Sequence, residues 1–156
     1  MKVLDGIIKY LLVTLLILMF AITFLQVVMR YLFLSPLPWA EEAVRFMFVW
    51  ASFIGAAIGI KEKIHIGINI IVARLPLILQ RITSTAVYLL IMWFAYFMIT
   101  AGWQFTRFTH AQFSPAIVMR MSYVHVAIPV SGALLILYCS LEIIKLWKTQ
   151  NVIQGE

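Results

Sequence analysis

The chain has 156 residues, 64% of them hydrophobic and only 12% charged, with a mean hydropathy of +1.03. Soluble domains carry roughly 25% charged residues, so this composition excludes a water-soluble globular protein and indicates an integral membrane protein. The formal net charge of +6 then gives no reason to expect a nucleic-acid partner, because topology and anionic lipid account for an excess of Lys and Arg.

A hydrocarbon layer of about 30 Å needs about 20 apolar residues at helical rise. The first such run goes from about Ile7 to Met29. It exceeds the roughly 7–15 apolar residues of a secretion signal and has no small-x-small cleavage site before Arg30, so it reads as a retained first helix. A polar island, Pro38-Trp39-Ala40-Glu41-Glu42-Ala43-Val44-Arg45, leads into the second run, from about Arg45 to Ile60. The third runs from about Ile82 to Phe105 and the fourth from about Ser122 to Leu146. The fold class is therefore all-α, four transmembrane helices in a single membrane domain covering 1–156. Continuous apolar runs exclude a transmembrane barrel, whose strands alternate apolar and polar over about ten residues.

Two connections are long. The stretch Ile64 to Pro76 is too polar to span and too apolar for an ordinary loop, which is the profile of an interfacial segment or a prolonged, tilted second helix. Glu62, His65 and Asn69 fall at i, i+3 and i+7, so a continuing helix would put them on one face, and Pro76 would end it. In the other connection, Thr106 to Met121, the pair Ser114-Pro115 favours an extended or turn conformation.

Orientation follows the distribution of Lys and Arg. With the N-terminus cytoplasmic, Lys2, Lys9, Lys61, Lys63, Arg74, Arg81, Lys145 and Lys148 lie on one side and Arg30, Arg45, Arg107 and Arg120 on the other. This bias predicts that both termini are cytoplasmic. Trp39, Trp103, Tyr123 and Trp147 fall near helix ends, as interface anchors should.

The charged residues near the spans are the candidate chemistry, since ionisable groups in lipid are costly and need compensation. Arg45 lies four residues after Glu41 and three after Glu42, so one guanidinium can neutralise either carboxylate on a helical face. Gln26 and Arg30 repeat the four-residue spacing at the end of the first helix, which brings a second cation near the acidic pair if the first two helices form a hairpin. The expectation is a charge network of Gln26, Arg30, Glu41, Glu42 and Arg45, either securing the helix ends or touching a partner or an ion path. Ala51, Gly55 and Gly59 recur every four residues on the second helix, a small-residue stripe at which another helix can approach closely. Only His125 lies within a span, so two facing axial histidines for haem are not available. Glu142 sits three residues before Lys145, where pairing or snorkelling suffices. The lone Cys139, inside the fourth run, allows no intramolecular disulfide and no thiolate metal cluster. No phosphate-binding loop, dinucleotide fingerprint, metal-ligand spacing or nucleophile motif is present, so the expectation is a protein that is not an enzyme and uses no cofactor or metal. A small carrier acting alone as a homo-oligomer should instead place a carboxylate well inside a span.

Gln26-Val27-Val28-Met29-Arg30-Tyr31, then Pro38-Trp39-Ala40-Glu41-Glu42, Phe48-Val49-Trp50, Phe53-Ile54-Gly55-Ala56-Ala57 and Lys63-Ile64-His65-Ile66 resemble the small permease subunit (DctQ-like) of tripartite ATP-independent periplasmic, or TRAP, transporters. Leu75-Pro76, Gly102, Ser114-Pro115-Ala116 and Ala127-Ile128-Pro129 continue the order of elements, while Arg120 stands where that pattern leads one to expect a proline. The resemblance implies a bacterial inner-membrane subunit of a sodium-driven importer of organic acids, of the C4-dicarboxylate or sialic-acid type. Its implied partners are a large membrane subunit (DctM-like), which carries the substrate and sodium sites in a moving elevator domain, and a periplasmic substrate-binding protein. The small subunit would scaffold the static part of the large one and not bind substrate itself.

Overall fold

The computed structural model describes residues 2–61 and 76–148. His65 and Asn69, and the interfacial segment expected around them, lie outside the described residues. Helix α1 covers Lys2–Tyr31, α2 Pro38–Lys61, α3 Leu77–Phe108, α4 Ser122–His125 and α5 Ala127–Lys148. Four stretches, Asp5–Tyr31, Pro38–Ile60, Ile78–Ala111 and Ser122–Trp147, are long and apolar enough to cross a membrane, as the apolar runs predicted.

The largest shift in boundary concerns α2. It starts at Pro38 rather than near Arg45, so the polar island forms the opening turns of the helix itself. Proline suits a first helical position because its φ is preset and its missing N–H is not needed there. Glu41 in that first turn complements the positive end of the helix dipole. Helix α1 stops where Leu34 takes a left-handed backbone (φ 51), which lets the Ser35 N–H bond back to the Met29 carbonyl at 3.1 Å. At the other break, between α4 and α5, Pro129 cannot donate to the His125 carbonyl four residues earlier, and the helix is interrupted at Val126.

The helices pack in the order α1, α2, α5, α3, with α1 and α3 as the flanks. No described residue of α1 is fully buried. Ala57 and Ile60 of α2, Ala95 of α3 and Leu135, Tyr138 and Cys139 of α5 form the core, which gives Cys139 a packing role. Tyr138 also donates to Asp5 of α1 at 3.2 Å, tying the start of the chain to the last helix.

The tightest approach is between α3 and α5. A Cβ at Gly132 would stand 2.9 Å from the Ala95 carbonyl oxygen, and one at Gly102 would stand 2.8 Å from Ile128 Cγ2. Glycine is required at both positions because helices in lipid associate through close backbone packing. The small-residue stripe on α2 plays a milder part. Ala51 is buried, but a Cβ at Gly55 would meet Leu12 of α1 only at an ordinary 3.9 Å, and one at Gly59 would meet nothing among the described residues.

Candidate functional site

The two adjacent carboxylates have opposite fates. Glu41 accepts from Arg45 at 3.0 Å on the helix surface, where the two side chains are 67% and 65% exposed. That is the four-residue pairing read from the spacing. Glu42, one position on, faces inward and is 9% exposed. Its Oε2 accepts from the Ala116 N–H at 3.1 Å, the Ile117 N–H at 3.0 Å and the Ser114 hydroxyl. All three partners are donors, the only kind an ionised carboxylate can use.

Local structure explains the three donors. The chain from Gln112 to Met121 folds back on itself, with the Ser114 N–H bonded to the Met119 carbonyl at 2.9 Å and the Met121 N–H to Gln112 at 3.0 Å. Between them, the Val118 N–H bonds to the Ser114 carbonyl at 3.1 Å, closing one helix-like turn. The first N–H groups of such a turn have no partner within it. Pro115 lacks an N–H, so Ala116 and Ile117 supply the two orphans, and Ser114 stands where a helix N-cap would. Glu42 fills that small anion-binding concavity from another helix. The hairpin closes only with Val118 in the left-handed region (φ 58), strained for a β-branched residue.

Further bonds hold the same end. Trp50, two turns along α2 from Glu42, donates its indole N–H to the Tyr123 carbonyl at 3.2 Å. Arg120 donates to His110 Nε2 and lies 5.6 Å over the Phe113 ring. A guanidinium only donates, so Nε2 is the acceptor, and Nδ1 carries the proton it shares with Ser122 Oγ at 3.1 Å. Arg120 thus has a defined task at the base of the hairpin, where the family pattern led one to expect a proline. His125 is engaged by Thr109 at 3.0 Å and by the Phe105 ring at 4.5 Å.

The expected network is therefore only partly assembled. Arg45 joins Glu41, and Glu42 is bound elsewhere. Arg30 is exposed at the end of α1 and, among the described residues, pairs with neither carboxylate; Gln26 is half-buried without a bond to them. Trp39 remains 43% exposed at the start of α2. Sequence reasoning missed Ser114, Ala116 and Ile117 as the partners of Glu42, although Ser114-Pro115 marked the turn. Two of the three groups are backbone amides, which no residue pattern reveals.

Residues 19–149 match the family model described as "Tripartite ATP-independent periplasmic transporters, DctQ component". The chain is 31% identical over 84 residues to the C4-dicarboxylate TRAP transporter small permease protein DctQ of Vibrio cholerae, a match covering 54% of this chain and 36% of that protein. It is 28% identical over 122 residues to a putative TRAP transporter small permease protein of Haemophilus influenzae, covering 78% of this chain and 76% of that one. A third relative, the sialic acid TRAP transporter permease protein SiaT of Haemophilus influenzae, is 31% identical over 91 residues, 58% of this chain but only 15% of its own length. The matched segment thus spans about a third of the Vibrio protein and a small part of SiaT. With the four apolar helices, these matches place the chain as a multi-pass protein of the bacterial inner membrane, and it belongs to the DctQ-component family of TRAP transporters, whose members are transporter components.

Proposed function

We infer that this chain is the scaffold subunit of a sodium-driven, binding-protein-dependent importer of organic acids, bracing a large membrane subunit without binding substrate itself. The observation that carries this reading is the Glu42 clamp. All three donors converge on one oxygen, Oε2, and lock α2 to the hairpin ahead of the last span, which is the work of a structural tie between distant segments. Glu41 is neutralised by Arg45 on its own helix. Two of the relatives named above handle C4-dicarboxylate and sialic acid, both organic acids, which supports that cargo class here. SiaT, in which a segment like this one is a small part of a longer permease, supports a large membrane subunit as the partner.

The test is Glu42→Gln in the co-expressed complex reconstituted with its binding protein. Assembly with the large subunit is expected to weaken, while the sodium dependence of residual transport stays as in the parent. A shifted ion dependence in a fully assembled Gln variant would make Glu42 an ion site and sink the scaffold reading. Orientation is tested in a Cys139→Ser background: cysteines at Ser35 and Ser114 should react with an impermeant reagent in intact cells, and one at Gln150 should not. Labelling at Gln150 alone would invert the topology.

A further inference from the structure

Two histidines at the hairpin end of the bundle carry their protons in ways that make them answer acid differently. The Thr109 hydroxyl has one hydrogen, shared between the Phe105 carbonyl at 3.0 Å and the Thr106 carbonyl at 3.3 Å, so in its contact with His125 at 3.0 Å the ring Nδ1–H is the donor. A second proton on His125 would enter at Nε2 and leave that bond in place. His110 is the reverse case. Its Nδ1–H meets Ser122 Oγ and its Nε2 lone pair takes the Arg120 guanidinium, so a second proton would fall on the nitrogen that Arg120 uses. The bond would be lost and two cations would stand in contact.

Arg120 braces the hairpin. Phe113 and Arg120 pair across its two arms, between the bonds that join Ser114 to Met119 and Met121 to Gln112. The Arg120 side chain lies over the Phe113 ring and is anchored by His110, which belongs to the single 3-10 turn Thr109–Ala111 at the end of α3. The stem supports the turn that offers Glu42 its donors, and Val118 holds that turn in a strained left-handed backbone, which persists only while surrounding contacts enforce it. His110 and Arg120 are both exposed, so protons reach the pair from water. The 3-10 turn packs against α3 and α4. The charged and titratable groups those elements bring to this end are Arg107, held over Trp103 on the last turn of α3, and Tyr123 and His125 on α4. On α2, Glu41 is paired with Arg45 and Glu42 is seated in the hairpin turn. Among the described residues no carboxylate pairs with His110 to offset a second charge.

We propose that His110 and Arg120 form an acid-sensitive latch: protonating His110 drives Arg120 away from the stem, the strained turn opens, and the tie between α2 and the hairpin at Glu42 loosens. The closed state needs the neutral imidazole, so its stability is present at neutral pH and lost in the acid direction. Imidazole changes charge between about pH 5 and 8, which sets the range in which the latch works. That the latch senses the medium outside the cytoplasm rests on the orientation proposed above; the latch itself does not.

Hydrogen exchange of the segment 112–121, followed by mass spectrometry on the full chain in lipid nanodiscs at about pH 7.5 and about pH 5.5, tests the latch. Rates are corrected for the intrinsic pH dependence of exchange. Protection of the segment in the parent is expected to fall about fivefold at the lower pH, the equivalent of two unit charges about 4 Å apart in bulk water. His110→Gln offers Arg120 an acceptor that takes no proton, and its protection should stay the same at both values. His125→Gln should keep the acid response. An acid response in His110→Gln equal to the parent's, or its loss in His125→Gln alone, would overturn the latch. If His110→Gln opens the segment already at neutral pH, Arg120→Gln decides: with the second cation gone it should show no acid response, and a retained response would overturn the latch. Exchange reads the hairpin whichever side it faces, so a wrong orientation is a separate result, seen as cysteine labelling at Gln150.

Discussion

The clamp at Glu42 and the crossing of α3 with α5 hold the same bundle by different physics. At the clamp, directional hydrogen bonds join residues more than seventy positions apart, and the donors are a hydroxyl and two backbone amides. At the crossing, contact depends on Gly102 and Gly132 letting two backbones meet. The first region fails when a charge loses its donors, the second when volume is added. A polar link therefore tolerates shape changes that a glycine contact does not, and the reverse holds for changes in charge.

The sharpest way to break that contrast is Gly132→Leu. Its Cβ would stand 2.9 Å from the Ala95 carbonyl oxygen, and a backbone atom cannot swing aside as a side chain can. The expected destabilisation is about 3 kcal/mol, at the upper end of ordinary overpacking, read as a lower melting temperature of the purified subunit in detergent. A parental melting temperature would mean that α3 and α5 sit further apart than described.

Glu42→Gln ranks next and tests the polar side. The amide can still accept from the Ser114 turn, but it loses its charge and gains an N–H₂ directed at donors. Combined with Ser114→Ala, it should be markedly non-additive, whereas Glu41→Gln with Ser114→Ala should be additive, because coupled pairs share an interaction and independent ones do not. Additivity in both cycles would remove the distinction between the neighbouring carboxylates.

Trp50→Phe keeps most of the ring while deleting the indole N–H that reaches the Tyr123 carbonyl, with an expected cost of about 1 kcal/mol. In a chain of this size that corresponds to about 2–4 °C of melting temperature. Smaller still is Arg45→Gln, which removes an exposed pair worth about 0.3–0.5 kcal/mol. High salt should produce a comparable loss in the parent and almost none in the variant. Gly55→Ala closes the series with a change within about 0.5 kcal/mol, since the new methyl would meet Leu12 at ordinary distance. A large loss there would show that the α2 stripe carries a tighter contact than this chain supplies, as a partner helix would.

Four spans, an all-α fold, the pairing of Glu41 with Arg45 and the resemblance to TRAP small permeases were all legible in the residues themselves. Hydropathy over about 20 residues and four-residue spacing are local properties, and burying backbone polar groups in lipid leaves the helix as the local solution. The start of α2 was less legible: the acids hid a helix that begins at Pro38, because hydropathy falls where dipole complementarity still favours helix. Gly55 and Gly59 looked like the close-packing glycines, yet spacing alone cannot say which helix a face meets, and the demanding contacts fell to Gly102 and Gly132. Likewise the sequence could show that Glu42 needed a partner, but only the tertiary structure decided which one. Its partners are the Ser114 hydroxyl and two amides freed by a turn far along the chain, and that turn is closed by Val118 in a backbone conformation its side chain does not favour.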